Sequence, residues 1–258
     1  MSYGLYLSAE GAHAQNYRLE TIANNIANVD TPGFKRELAV QQARHTQRIE
    51  YGHDAPDSGS MNDVSGGVLT IGTLTEIQKQ GTSMVTGEKT DMEIVGEGFF
   101  LVQHMQTGEQ FLTRAGHFQK LPDGRLVTHS GSTEFAVCDM NGQPIVMTPG
   151  ENWDWDSNDA GEIVEAGVHT PVALVVPQNY AKMVKQGKNM FKSEEGFTPV
   201  DTGNRKIKPR HLEGSAVDPA AEMVELIAAS RLIETNLKMV QQQDDMTNGL
   251  ISKVLRVS

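Results

Sequence analysis

The sequence predicts an α+β fold with a helix near each end and a β-rich domain in the centre. Near the start, apolar or small residues recur at steps of three and four. A longer heptad pattern runs towards the end, and short apolar runs separated by Asp-Gly and Asn-Gly pairs occupy the middle. We therefore predict an N-terminal helix (1–35), a connector (36–70), a β domain (71–211) and a long C-terminal helix (212–258).

Composition narrows the possible functions. The chain has 258 residues and a formal net charge of −11, which disfavours nucleic acid as a partner because binding phosphates needs a surplus of Lys and Arg. Cys138 is the single cysteine, so the sequence offers neither an internal disulfide nor a cysteine zinc site. No apolar run approaches the roughly 20 residues that cross a bilayer, so membrane insertion is not expected.

The beginning of the sequence bears on export. The first residues, MSYGLYLSAEGAHAQNYR, have neither the basic start nor the apolar run of a secretory signal. By itself this predicts a cytoplasmic protein. A dedicated export route that needs no cleaved signal is the exception.

The predicted N-terminal helix carries its apolar and small residues on one face, at Leu5, Ala9, Ala12, Leu19, Ala23 and Ile26. It ends in the stretch NNIANVDTPGFKRE. Thr31 precedes Pro32 and is therefore pushed out of the helical region, and Gly33 tolerates a positive φ. Phe34 supplies an aromatic anchor after this sharp exit.

Three asparagines precede that exit, at Asn24, Asn25 and Asn28. Asn24 and Asn28 share a helix face, and their amides suit buried bonds between helices or between a helix and a loop. Two interpretations stay open. The asparagines belong either to a helix end rich in turn formers or to a polar lock that sets register where several helices meet.

The C-terminal helix has the stronger signals. Asp218 is an N-cap residue, and Pro219 suits the first helical position. Glu222 lies in the first turn, where the helix dipole stabilises its negative charge. The predicted seam consists of Met223, Leu226, Ser230, Ile233, Leu237, Val240, Asp244, Thr247, Ile251 and Val254. A helix this long cannot bury the stripe within itself, so it needs partner helices.

The middle of the chain has the pattern of strands and turns. GFFLVQ (98–103) and VALVVP (172–177) are buried-strand candidates, and Asp-Gly at 123–124 and Asn-Gly at 141–142 are hairpin signals. The polar stretch 36–70 is dotted with Gly and Ser, and we expect it to be loosely ordered.

The best metal candidate in the sequence is DWDSNDAGEIVE, residues 154–165. Asp154, Asp156, Asn158 and Glu165 occupy ligand positions of a calcium loop, but Asp159 stands where that loop needs glycine. An acidic turn between strands is therefore the favoured interpretation. The eight histidines show no metal-binding spacing, and Cys138 lies among apolar residues as a small buried hydrophobe. We expect no catalytic, cofactor or metal residues, since nothing locates the carboxylate pair that a wall-cutting hydrolase would need.

The stretch NNIANVDTPGFKRE resembles the N-terminal signature of the bacterial flagellar axial proteins, the rod and hook subunits. Three further segments resemble that family in the expected order: QGTSMVTGEKTDMEIVGEGFFLVQ (80–103), FLTRAGHFQKLPDGRLVTHSG (111–131) and LEGSAVDPAAEMVELIAASRLIETNLKMVQQQDDM (212–246). The resemblance covers both ends and about half the middle, whereas 132–211 matches only loosely.

This resemblance implies a structural, non-enzymatic subunit of the basal-body rod that assembles helically through its terminal helices and transmits torque. It also implies that the N- and C-terminal helices pair as a coiled-coil-like core domain, with the β-rich domain outside it. It also implies export through the flagellar type III apparatus without a cleaved signal peptide, and a place in the periplasmic rod. The expected partners are copies of the chain, other rod and hook-family axial proteins and the export apparatus. The start MSYGLYLSAEGA is more similar to the proximal rod member, which we predict, although GGVLTIGTLTEIQKQG (66–81) also suits the distal one.

The predicted assembly interface consists of Leu5, Leu19, Asn24, Asn25, Asn28, Pro32, Gly33, Phe34, Leu226, Ile233, Leu237, Val240, Ile251 and Val254. In a lone subunit we expect both ends to be largely disordered. The alternative is a soluble coiled-coil adaptor that displays the β domain and forms a defined dimer.

Overall fold

A computed structural model describes residues 3–45, 52, 66–129, 134–149, 155–187, 189–201 and 205–255, with side chains to residue 253. The chain forms two compact units. The terminal unit comprises Met1–Ala27, Glu37–Glu76 and Asp218–Ser258, and the central unit comprises Asn28–Arg36 and Ile77–Val217. Each unit is therefore built from segments that lie far apart in the sequence.

The α+β prediction is confirmed, with a helix near each end and strands between them. Helix α1 spans Tyr3–Ala27 and helix α2 spans Pro219–Leu255. The Asp218 cap is confirmed, because its Oδ1 accepts the N–H of Ala220 at 3.0 Å. No helix in the described ranges is both long enough and apolar enough to cross a membrane.

The two helices of the terminal unit pack against each other in antiparallel order. The Gln243 amide lies against Gly4 of α1, and the Asn236 amide lies against Gly11. From the first contact to the second, the residue number increases by seven along α1 and decreases by seven along α2, as it does in an antiparallel pair. These contacts join glycine to amide side chains and not leucine to leucine, so the coiled-coil part of the fold prediction is not confirmed.

A two-stranded antiparallel ribbon completes the terminal unit, formed by β1 (Glu37–Arg44) and β2 (Gly67–Thr75). It packs on α1, where the Gln41 side chain donates to the carbonyl of Ala14 at 2.7 Å. The expectation that the 36–70 connector is loosely ordered was wrong for both of its ends, which form strands β1 and β2. These polar strands are stabilised by the hydrogen bonds between them and by packing on α1. The β domain was predicted to begin at residue 71, but the strand that contains Ile71 begins at Gly67 and belongs to the terminal unit.

The central unit is made of short strands. Its strands are β3 (Ser83–Val85), β4 (Met92–Ile94), β5 (Phe99–His104), β6 (Gln110–Thr113), β7 (Phe118–Lys120), β8 (Leu126–Thr128), β9 (Phe135–Val137), β10 (Trp155–Ser157), β11 (Glu162–Glu165), β12 (Val168–Pro171), β13 (Leu174–Pro177), β14 (Met183–Lys185), β15 (Met190–Ser193), β16 (Phe197–Pro199), β17 (Ile207–Pro209) and β18 (His211–Glu213). The main sheet has the order β14-β15-β6-β5-β9-β8-β7, and β13 joins β5 to β16. Smaller sheets are β10-β11-β12, β17-β4 and β18-β3.

The core of the central unit is aromatic. Phe100 and Phe118 meet edge to face with ring centroids 5.0 Å apart, and Phe99 and Phe191 do the same at 5.9 Å. Cys138 is fully buried as predicted, and this burial raises the pKa of its thiol to about 12.

The predicted turns of the central unit are confirmed. The Asp-Gly pair at 123–124 connects β7 to β8, and Gly124 has φ of 89°. The acidic segment, described from residue 155, is a turn between β10 and β11. There Oδ1 of Asn158 accepts the N–H groups of Ala160 and Glu162. Asp154, the first residue of the calcium pattern, lies outside the described residues.

Candidate assembly site

The seam between α1 and α2 differs from the predicted one by a rotation of α2. Leu226, Ile233 and Val240 are half-buried, as expected for one column of the heptad. The other column of the seam lies one residue earlier than predicted. It contains Glu222, Ala229, Asn236 and Gln243, in place of Met223, Ser230, Leu237 and Asp244.

Asn25 explains this rotation. It is 1 % exposed, and its Nδ2 donates to Oε2 of Glu222 at 3.3 Å and to the carbonyl of Glu37 at 2.8 Å. Its Oδ1 accepts the N–H of Glu37 at 3.0 Å. Because a buried amide requires partners, α2 presents Glu222 to α1 in place of the adjacent Met223.

Asn25 therefore joins α1, β1 and α2 within the terminal unit, which is the geometry of a polar lock. The two asparagines that share a helix face are less buried. Asn24 is exposed and donates to the Glu37 carboxylate at 3.2 Å. Asn28 follows the end of α1 in the central unit, where its side chain accepts a bond from the Thr31 hydroxyl at 3.2 Å.

A weaker ion pair also links the two helices. Nη2 of Arg18 lies 3.2 Å from Oε2 of Glu225, and the two side chains are 38 % and 37 % exposed. Leu5 and Leu19, the predicted apolar positions on α1, are half-buried. A pair this exposed contributes little to stability, so packing and the Asn25 bonds dominate the seam.

In the central unit, a buried charge cluster holds the second half of the N-terminal signature. We call Lys35, Arg114 and Glu213 the Glu213 cluster. Nζ of Lys35 lies 2.7 Å from Oε1 of Glu213, and Nη1 of Arg114 lies 3.2 Å from Oε2. Burial lowers the pKa of Lys35, and the carboxylate of Glu213 partly opposes this effect.

Backbone bonds reinforce the Glu213 cluster. The N–H of Gly33 donates to the carbonyl of Glu213 at 2.8 Å, and the N–H of Ala216 donates to that of Phe34 at 2.9 Å. Gly33 has φ of 68°, and a Cβ there would stand 2.5 Å from the amide nitrogen of Ala115. The predicted glycine is thus required by both conformation and space.

The neighbours of Gly33 are also anchored in the central unit. Phe34 is 3 % exposed, and Nζ of Lys185 lies 4.2 Å from the centroid of its ring. Pro32 is half-buried, and its carbonyl accepts a bond from the Asn189 side chain at 3.1 Å. Pro32, Gly33 and Phe34 therefore serve intrachain packing in this structure.

Sequence reasoning missed Lys35, Arg114 and Glu213, and it related Glu222 only to the helix dipole and not to a bond with Asn25. Each one stands inside a segment already quoted for the family resemblance. In each segment the charged residue adjoins at least one apolar residue, and this was the available signal, because a charge at such a position is buried only if it is paired.

The remaining surface of α2 is rich in exposed apolar side chains. We call this surface the outer face of α2; it consists of Met223, Val224, Ile227, Leu232, Leu237, Met239 and Met246. Leu237 is 50 % exposed and Ile251 is 51 % exposed, so neither is buried in the described seam. The side chain of Val254 lies outside the described part of the structure.

Helix α2 is also longer than its partner. It has 37 residues and α1 has 25, and Gln243 of α2 already lies beside Gly4 of α1. The last turns of α2, with Leu250 at 66 % exposure, therefore run past Tyr3, where α1 begins. Within the described ranges, no group of three or more His, Cys, Asp or Glu side chains could hold a metal ion.

Three models of known protein families match segments of this chain, and together they cover parts of both the terminal and the central unit. Residues 5–35 match the model described as Flagella basal body rod protein, and 93–184 match Flagellar hook protein FlgE/F/G D1 domain. Residues 208–252 match Flagellar basal body rod FlgEFG protein C-terminal. These ranges contain Asn25, the three residues of the Glu213 cluster and most of α2.

Similar curated proteins agree with these families. The flagellar basal-body rod protein FlgG of Agrobacterium fabrum is 30% identical, covering 98% of this chain and 99% of the relative. FlgG of Bacillus subtilis is also 30% identical, with the same coverage. FlgF of Caulobacter vibrioides is 27% identical and covers 100% of both chains.

Relatives of both names occur, so the similarity identifies the rod proteins as a group and not a place along the rod. The predicted structural, non-enzymatic role is confirmed by this relationship, and the soluble adaptor is not favoured. The chain belongs to the family of flagellar basal-body rod proteins.

Proposed function

We propose that this rod subunit assembles helically with copies of itself, through α1 and α2, into a coiled-coil-like axial core that transmits torque. The outer face of α2 is the observation that carries the proposal. Full burial of a Leu, Ile or Met side chain contributes about 1.5–3 kcal/mol of stabilising free energy. Because these side chains are only half-buried in the single subunit, much of that free energy is still available for association. Heterologous contacts with neighbouring copies would bury these side chains, and such contacts repeat as a helical array.

Assembly would also order the terminal unit. Fixing the backbone costs roughly 1–2 kcal/mol per residue, and the buried positions along α1 and α2 include small residues such as Ala14 and Ala229. Such a seam has little apolar area to offset that entropy. The helices of a dilute single subunit are therefore largely unfolded, and they form when neighbours cover the outer face of α2.

The proposed partners follow from membership of the rod family. The chain adjoins copies of itself and other rod and hook-family axial proteins in the basal body, and it travels through the flagellar export apparatus without a cleaved signal peptide. Its place is the periplasmic rod. Within the rod we propose the proximal segment, on the similarity of its first twelve residues to the proximal member.

The substitution Leu237→Asp tests this function. A buried charge at the interface between copies is costly, so we expect no incorporation into basal bodies and no motility. Leu237 is not buried against α1, and the central unit should keep its protection from amide hydrogen exchange. Gln242→Asp is the matched control, because it adds one negative charge at an exposed polar position of the same helix.

Normal motility and normal rod content with Leu237→Asp would refute the assembly role of the outer face of α2. Sedimentation separates the adaptor alternative, since a discrete dimer with helical ends at micromolar concentration would favour it. The rod proposal predicts a monomer with unfolded ends, or filaments.

A further inference from the structure

The β1–β2 ribbon of the terminal unit exposes a cluster of large apolar side chains. Leu69 is 53 % exposed, Ile71 is 60 % exposed and Leu74 is 57 % exposed, all on β2. We call these three residues the β2 row. In the described part of the chain, no other strand exposes more than two large apolar side chains. Clustered apolar exposure, unlike single exposed residues, is typical of an interaction surface.

The hydrogen bonds of the ribbon show which side of it faces α1. The Gln41 side chain donates to the Ala14 carbonyl of α1, so Gln41 lies on the covered side. Thr70 stands directly opposite Gln41, and Leu69 stands opposite Gln42. Opposite residues of an antiparallel pair share a face, and successive residues alternate between faces. Leu69 therefore points away from α1.

The rest of the β2 row continues this uncovered side. Ile71 is the extra residue of a bulge in β2 and is the most exposed of the three. On β1, Leu38 lies three positions before Gln41 and therefore on the opposite face, and Leu74 pairs with Leu38. A ribbon covered on one side normally turns its polar residues to water. Here glutamine and threonine lie on the covered side and leucines on the open side, so the ribbon is incomplete without a second layer.

The terminal unit thus has two apolar faces, the β2 row and the outer face of α2. Among its described residues, exposed large apolar side chains lie on β2, on α2 and at Tyr6 of α1. Both faces point away from α1, because α1 packs against the opposite side of each element. They therefore cannot cover each other within one chain. A heterologous contact joins two different faces, and these two are available.

We propose that the β2 row of one subunit packs against the outer face of α2 in a neighbouring copy. This inference rests on the proposed assembly through the terminal helices and names the surface that receives α2. The β2 row extends over about 17 Å, at about 3.3 Å per residue of strand. The outer face from Ile227 to Leu237 extends over about 15 Å, at about 1.5 Å per residue of helix. The contact places the ribbon between α1 of its own chain and α2 of the neighbour, which supplies the missing layer.

This contact is suited to an array and not to a pair. A stable interface between two proteins takes about 20–30 residues from each side, and the β2 row supplies three. Two copies alone therefore gain too little from it to form a discrete dimer. In a helical array each subunit uses its β2 row towards one neighbour and its outer face of α2 towards another, so the contact is repeated along the whole assembly.

Cysteine cross-linking in isolated basal bodies tests the contact. Cys138 is fully buried, so an introduced cysteine supplies the reactive thiol. Ile71→Cys is combined in one chain with Leu232→Cys or with Leu237→Cys. These two positions stand on the two flanks of the outer face, because five residues correspond to about 140° around a helix. After thiol oxidation we expect a ladder of disulfide-linked multimers from at least one of the two combinations.

Each cysteine alone is the matched control and should give no linked product. If the subunit is present in basal bodies but neither combination gives multimers, this contact is refuted and the proposed assembly role stands. A dimer from Ile71→Cys alone would show that two ribbons meet, and a dimer from Leu232→Cys or Leu237→Cys alone that two α2 helices meet. Either result overturns the proposal, as does linkage to a different axial protein. Absence of the unsubstituted chain from basal bodies would refute the assembly role itself.

A charge in the β2 row gives a second measurement. Ile71→Glu places a charge where the α2 helix of a neighbour would bury it, so incorporation into basal bodies should fall by about tenfold or more. Thr73→Glu is the control, since it adds the same charge at an exposed polar position of β2. Equal incorporation of the two variants would overturn the proposal.

Discussion

The central and terminal units bury very different residues. Within the described residues, the largest fully buried side chains all belong to the central unit, among them Phe99, Phe118 and Lys35. The terminal unit buries small residues such as Ala229 and a polar lock at Asn25, and it exposes the whole outer face of α2. The central unit is complete within one chain, whereas the terminal unit is incomplete.

This difference indicates that the terminal unit, and not the central unit, provides the surface for assembly. The central unit closes an aromatic core around the Glu213 cluster, and its exposed large apolar side chains within the described residues are scattered over separate strands and loops: Met84, Val85, Val146, Val168 and Val184. A unit whose helices meet through glycines, alanines and amides leaves its large side chains for neighbours. Three substitutions test the contrast, and each one probes an interaction that the two units treat differently.

The largest effect is expected for Glu213→Gln in the central unit. It keeps the shape of the side chain but leaves the buried Lys35 and Arg114 without their counter-charge, which typically costs about 3–5 kcal/mol. Amide hydrogen exchange in the main sheet of the unassembled subunit measures the loss. A change below about 1 kcal/mol would mean that the Glu213 cluster does not hold this unit together.

An intermediate effect is expected for Asn25→Ala in the terminal unit. It removes three hydrogen bonds from a buried site and should cost about 1–3 kcal/mol. Because this unit is proposed to fold on assembly, the measurement is the critical concentration for polymerisation, which rises tenfold per 1.4 kcal/mol. Asn24→Ala, which alters an exposed neighbour, is the control, and equal effects of both would argue against a lock at Asn25.

The smallest effect is expected for Glu225→Gln. It breaks the ion pair with Arg18 but leaves both side chains in contact with water, so the cost should stay within about 0–1 kcal/mol. The critical concentration should therefore change by less than about fivefold. A change as large as that from Asn25→Ala would show that this pair becomes buried between copies in the rod.

Sequence reasoning succeeded where the signal is local. The cap at Asp218, the turn at Gly33 and the hairpin at 123–124 depend on the φ preferences and side-chain bonds of a few consecutive residues. The end helices depend on periodicity, which a helix displays along its own length. The family resemblance drew on such local motifs and pointed to the rod proteins before any contact was known.

Sequence reasoning failed where a residue's environment comes from a distant segment. Polar strands β1 and β2 are stable because α1 covers them and they pair with each other, so their composition alone predicted a loose connector. The seam of α2 turned by one residue because Asn25, nearly two hundred positions away, requires Glu222 as its partner.

The sequence by itself thus determined the local elements of this rod protein: where the helices begin, where the turns form and which family it belongs to. Tertiary structure alone decided which face of α2 is covered and how the charges around Glu213 are paired. The physical reason is that burial and electrostatic pairing depend on distances in space, and chain folding sets those distances between residues that the sequence keeps apart.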